Sequence, residues 1–168
     1  MYMGHIGIAL GASRLARQTP LWFLMVAALL PDLVDAVGGL TPWGLWLQTY
    51  SHTLAGIVVL ALALGAAALL TRSSVLTALV AATLVISHLL ADLVTSRIPL
   101  WRDGPGVGLA VYNHHRVDFC VEGLVILGGW WLYRSLLPHQ RRSHWALFAM
   151  LAVLLGFQLL LDVIGVGA

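Results

Sequence analysis

The sequence predicts an all-α integral membrane protein: a compact bundle of five or six short transmembrane helices around a buried His/carboxylate metal site. Three observations point there. Sixty per cent of the 168 residues are apolar, ten per cent are charged, and the mean hydropathy is +0.92, far from the roughly 25% charged of soluble domains. The apolar residues fall into runs close to the roughly 20 residues that a membrane span takes. The few acids and histidines sit at the ends of those runs, and ionisable groups at membrane depth are costly and are kept for a site or a pathway.

Apolar helices are expected near 20–38, 54–71, 75–96, 119–137 and 145–165, with a shorter one near 3–14. Turn signals separate them: Gly38-Gly39 and Thr41-Pro42, Thr71 to Ser74, a Pro/Gly segment from Arg97 to Asn113, and Pro138 to Ser143. Connections this short make sequential helices antiparallel neighbours, so residues 1–168 read as a single membrane-embedded domain. Gly4, Gly7 and Gly11 would let the first segment pack closely against a neighbour. Pro31 frees a backbone carbonyl and can bend the second.

The charge balance, nine basic residues (all Arg) against seven acids, is too even to suggest nucleic acid. Cys120 is the one cysteine, which excludes an internal disulfide and a thiolate cluster. No basic region precedes the first apolar stretch, against a cleaved signal peptide. Arg14, Arg17, Arg72, Arg134, Arg141 and Arg142 fall on one side, Arg97, Arg102 and Arg116 on the other. The richer side is expected to be cytoplasmic, which turns the acid-bearing ends outward. Trp43, Trp46 and Trp101 read as interfacial anchors, His139 and His144 as anionic-lipid contacts, and Asp103 and Asp162 as interface acids.

Helical rise of about 1.5 Å per residue puts His5, Asp32, His88 and Glu122 at one level, about 14–20 Å from the cytoplasmic side. His88 and Asp92 are four residues apart, hence on one helical face, where an imidazole and a carboxylate can share or orient one metal. His114 with Asp118 repeats that spacing, as does Asp118 with Glu122. Mixed His and carboxylate ligands suit a divalent ion, zinc first, with Mn or Fe as alternatives and two or more ions allowed. Leu29 to Val34 and Leu89 to Val94 form a faint repeat, followed by Tyr50-Ser51-His52 and Tyr112-Asn113-His114.

The N-terminal Gly-His, the Leu-Leu-Pro-Asp-x-x-Asp element, Ser51-His52-Thr53 and Ser87-His88-x-x-x-Asp92 resemble the YdjM-type family, LexA-regulated inner-membrane metal-dependent hydrolases. The resemblance covers roughly residues 3–125. The ligand order is also similar to that of zinc-dependent phospholipase C, an all-helical phosphodiesterase. It implies His5, Asp32, His52, His88 and Asp92 as ligands, with either His114 and Asp118 or Asp118 and Glu122.

The activity so expected is metal-assisted cleavage of a lipid phosphoester in the bacterial inner membrane, on the extracytoplasmic side. Asp35 or Glu122 would be the general base, and Arg97, Arg102 and Arg116 would hold the phosphate. An amidase, esterase or ceramidase-like hydrolase is the nearest alternative. A metal-ion carrier would need ligands continuing through 57–70 and 75–86, which offer nothing stronger than Thr and Ser.

Overall fold

The computed structural model describes residues 1–41 and 44–164, with Leu45 and Trp46 as backbone alone. Trp43, the side chain of Trp46 and residue 165 of the last expected helix therefore lie outside the described residues.

The described chain is mostly helical: α1 (Met3–Ala12), α2 (Leu21–Ala28), α3 (Leu30–Gly39), α4 (Gly44–Ser51), α5 (Leu54–Leu70), α6 (Val75–Thr95), α7 (His115–Leu136), α8 (His139–Arg142) and α9 (Trp145–Ile164). Each expected helix is present with small shifts at its ends, except that 20–38 is two helices. Pro31, in the first turn of α3, has no N–H to continue the α2 ladder, and the chain bends there by 66°. Helix α4 was read as loop, because its eight residues, GLWLQTYS, follow Gly38-Gly39 and Pro42 and are too few to show a period. The Pro/Gly segment holds a two-residue hairpin, Ile98–Pro99 against Gly106–Val107, then a 3-10 turn at Val111–Asn113.

Two helices, α6 and α9, are long and apolar enough to cross a membrane, and the bent α2–α3 pair passes the same test as one broken span. Helices α1 and α5 are apolar but shorter. Helix α6 is the axis of the molecule, with Val80, Ala81 and Leu84 packed on α1 and α2 and Val85 and Leu89 on α5. Helix α9 is peripheral and packs on α7 and α1 through Leu154 and its neighbours. Two hydroxyl caps start the antiparallel α5–α6 pair: Thr53 Oγ1 accepts from Gly56 N and Ser74 Oγ from Thr77 N.

Helices α1 and α7 run parallel and touch through backbone. A Cβ on Gly129 would fall 1.9 Å from Gly7 O, and one on Gly7 would fall 2.8 Å from Val125 O. Only glycine permits this approach, as in tightly packed membrane helices. The expected role of the early glycines holds at Gly7; at Gly4 the space is filled by the Met1 side chain.

Candidate metal centre

Four parts of the chain deliver five residues to the centre of the bundle. His5 comes from α1, Asp32 from the first turn of α3, His52 from the α4–α5 junction, and His88 with Asp92 from one face of α6. The residues in the groups His5, His88, Asp92 and Asp32, His52, His88 each offer a ligand atom within 4.8 Å of the others, the reach of one metal ion. The estimate of common depth holds for His5, Asp32 and His88.

Contacts at Nδ1 orient two of the imidazoles. His88 Nδ1 lies 2.8 Å from Ala28 O, and since a carbonyl only accepts, Nδ1 carries the proton and Nε2 presents a lone pair. Ala28 is the last residue of α2, where the bend leaves carbonyls without helical partners, so the kink supplies the group that orients His88. His52 Nδ1 faces Asp35 Oδ2 at 3.2 Å and Ser51 Oγ at 3.0 Å, and Ser51 in turn donates to Asp35. Its Nε2 is likewise left bare. Ser51-His52-Thr53 thus divides its work: Ser51 braces, His52 points inward, Thr53 caps α5.

Four acceptor atoms converge as a result. His52 Nε2 and His88 Nε2 are 3.2 Å apart; Asp32 Oδ1 is 3.3 and 3.4 Å from them, and Asp92 Oδ2 is 3.6 and 3.2 Å from them. In neutral imidazoles with the Nδ1 atoms protonated, no hydrogen sits among these four, and acceptors facing one another repel unless a metal ion or added imidazole protons lie between. The group can hold a metal ion. The His5 ring stacks on His88 with centroids 3.8 Å apart. Its Nε2 lies 3.2 Å from Asp92 Oδ1, which also receives the Met1 amine at 2.6 Å. Asp92 is therefore held by one oxygen and turned toward the other histidines by the second.

The remaining expected residues lie elsewhere. The structure does not bring His114 to this group: it sits exposed at the start of α7, because the preceding 3-10 turn faces Tyr112 inward instead. The second Tyr-x-His of the faint repeat delivers its tyrosine, which stacks on Tyr2. Burial and the charge of Glu122 push the Tyr112 phenol above its usual range.

Asp118 and Glu122 are buried on α7 in a separate polar cluster. Glu122 accepts from Tyr2 N and Gly4 N at the start of α1, a helix N-terminus that favours a carboxylate. The Gln158 amide, on α9, bridges Asp118 Oδ2 at 3.4 Å and Asp162 Oδ1 at 3.1 Å. Sequence reading missed Gln158 and placed Asp162 at an interface; the available signal was their i, i+4 spacing in an otherwise apolar helix. Asp35 orients His52, and Glu122 is committed to α1, so neither stands free as a base.

Arg97, Arg102 and Arg116 are all exposed. Arg102 donates to Tyr50 Oη and pairs with Asp103. Leu54 N bonds Leu100 O and Leu109 N bonds Leu93 O, which ties the hairpin loop over the same end. A cleft of about 240 Å³ there is lined by Met1, Tyr2, Asp32, His52, Asp92 and Tyr112 among others. Asp32, 45% exposed as a side chain, fronts it. Compared with protein-family models, curated proteins and solved structures, the chain gives no match.

Proposed function

We propose that the protein is a metal-dependent hydrolase of the bacterial inner membrane, of the YdjM type, that cleaves a phosphoester of a lipid or lipid-linked substrate. The observation that carries this reading is the spacing of the four acceptors. Ligands bound at about 2.0–2.1 Å to a tetrahedral zinc ion stand about 3.3–3.4 Å apart. Five of the six separations among the four atoms, all but Asp32 to Asp92, run from 3.2 to 3.6 Å. His52, His88, Asp32 and Asp92 would be the ligands, and an attacking water would have to join as a fifth. Because an imidazole Nε2 has one lone pair, His88 serves one ion, and His5 braces Asp92.

These residues would hold a zinc ion, whose chemistry would be to make a bound water acidic enough to attack at neutral pH and to place positive charge beside the scissile group. The protein's own residues set the approach. The substrate enters by the cleft beside Asp32, and Arg102, on the hairpin loop, takes a phosphate oxygen. Five or six segments embed in the membrane, with α1 and α5 as partial or short crossings, and the cleft faces outward by the six-to-three division of arginines. An apolar groove of about 240 Å³ between α3, α4 and α5 is lined by Val34, Ala55, Val59 and Leu60 and by Ser51, the same serine that braces Asp35. A hydrocarbon chain lying there would bring its head group to the centre, which favours a lipid over a soluble substrate.

The deciding experiment is elemental analysis of the purified protein together with head-group release from a panel of lipids. Stoichiometric zinc and release from one lipid class are expected. Protein free of metal, with two extra imidazole protons bound instead, would reduce the centre to a structural His/Asp network. For orientation, a cysteine at position 106 in a Cys120→Ser background is expected to react with an impermeant thiol reagent in intact cells. Reaction only in inverted vesicles would place the cleft on the cytoplasmic side.

A further inference from the structure

The end of the bundle opposite the His/Asp group carries a second, differently built cavity. It measures about 310 Å³ and is lined by Trp131, Arg134, Ser135, His139, Arg142 and Ser143. Its two guanidiniums are fixed by main-chain carbonyls. Arg134 Nε donates to Arg142 O at 2.7 Å, while Arg142 donates from Nε to Leu137 O at 2.9 Å and from Nη2 to Ser135 O at 3.0 Å. The Arg134 guanidinium also lies 5.3–5.8 Å from the ring centres of Trp130, Phe148 and Trp131, within cation–π range.

These contacts consume few of the five N–H donors that each arginine carries. The two guanidiniums have no acid to pair with. From residue 123 to residue 161 the sequence holds no Asp or Glu, and among the described residues the arginine–carboxylate pair is Arg102 with Asp103. Positive charge that is immobilised, unpaired and backed by aromatic rings is arranged for an anion, and arginine forks match phosphate oxygens. Trp131 and Trp145 stand exposed nearby, 64% and 74%, as amphipathic rings do at head-group level.

We infer that this cavity binds the phosphate of an anionic phospholipid, at a site about 18 Å along α7 from Glu122, counting the rise from 122 to 134. Helix α1 runs parallel to α7 and ends at the same level, so Arg14 and Arg17 add to the positive field without lining the cavity. The apolar backing is what commits the site to a lipid rather than a soluble phosphate: the ligand needs an anionic head and a chain to lie along Trp131. The site is independent of any reaction at the His/Asp group.

The test is native mass spectrometry of the full-length protein, released from mixed phosphatidylglycerol and phosphatidylcholine, with four proteins compared. Wild type is expected to retain phosphatidylglycerol about tenfold over phosphatidylcholine, a preference set by charge-assisted hydrogen bonds. Arg134→Gln/Arg142→Gln is expected to lose that preference. Arg142→Gln alone, an exposed position that leaves the aromatic packing of Arg134 intact, is expected to lose most of it and guards against misfolding of the double variant. Arg141→Gln, which removes an equal charge outside the cavity, is expected to keep it. Equal retention by wild type and Arg142→Gln would overturn the site, as would an equal loss in Arg141→Gln, the mark of a diffuse field. Displacement of the lipid by millimolar inorganic phosphate would overturn the commitment to a lipid.

Discussion

Two polar clusters sit side by side in this bundle, each built on an i, i+4 pair of ionisable residues, and they end in opposite states. On α6, His88 and Asp92 are i, i+4 and leave their free atoms converging with those of Asp32 and His52. On α7, Asp118 and Glu122 are i, i+4 as well. There Glu122 is committed to the start of α1 and Asp118 to the Gln158 amide. The difference lies in what stands behind each group. Carbonyl, serine and carboxylate partners hold the far nitrogens of His88 and His52 and so aim the near ones, whereas donors meet the α7 carboxylates head-on. Convergence of acceptors, more than their number, marks the site.

The comparison breaks most sharply on one pair of variants. His88→Ala is expected to abolish stoichiometric metal binding, while His114→Ala, at an exposed position, leaves it intact; elemental analysis of both decides. Equal metal loss from the two would mean that the α7 start belongs to the centre.

Asp35→Asn tests the bracing of His52. Loss of an outer partner of a metal-bound histidine lowers affinity about 10- to 100-fold. A chelator competition titration is expected to show that shift with full occupancy at saturating metal. Wild-type affinity would leave Ser51 as the sole brace.

Smaller effects belong to the second cluster. Glu122→Gln turns an amide toward backbone N–H groups that now meet a carboxylate, which costs about 1–3 kcal/mol for the unmet donor. Thermal unfolding in detergent is expected to show a lower midpoint, with the metal still bound when folded. Asp118→Asn is the mildest. Asp118 Oδ1 is buried without a partner, so trading the carboxylate for an amide that keeps an acceptor for Gln158 is expected to leave stability unchanged or raised by up to about 1 kcal/mol. A large loss in that variant would mean that the charge itself is needed.

Much of the α6 side was legible in the sequence, because depth and face follow from helical rise and spacing. His5, Asp32, His88 and Asp92 came together as those two rules require, including a histidine near the chain start that local pattern alone would make a tail residue; His52 was implied by the resemblance, and Glu122, expected at the same depth, is committed to α1 instead. What escaped was orientation. His114 was a candidate through its i, i+4 spacing with Asp118 and through the resemblance, yet a single 3-10 turn decides which of the two aromatic rings faces inward, and no periodicity reports a turn of three residues. Gln158 and Asp162 escaped because a membrane helix with two polar residues reads as apolar on average. The carbonyl of Ala28 could not be named in advance either: Pro31 announced a bend but not which partner would meet it.

The contact between Gly7 and Gly129 sets an order of events during biosynthesis. Helix α1 is ten residues long, about 15 Å, half the thickness of a hydrocarbon core, and cannot hold a place across it unaided. Its closest support is made more than a hundred residues later in translation. The packing that holds His5 against Asp92 is therefore complete only once α7 has been made. The His/Asp group closes when α1 docks on α7.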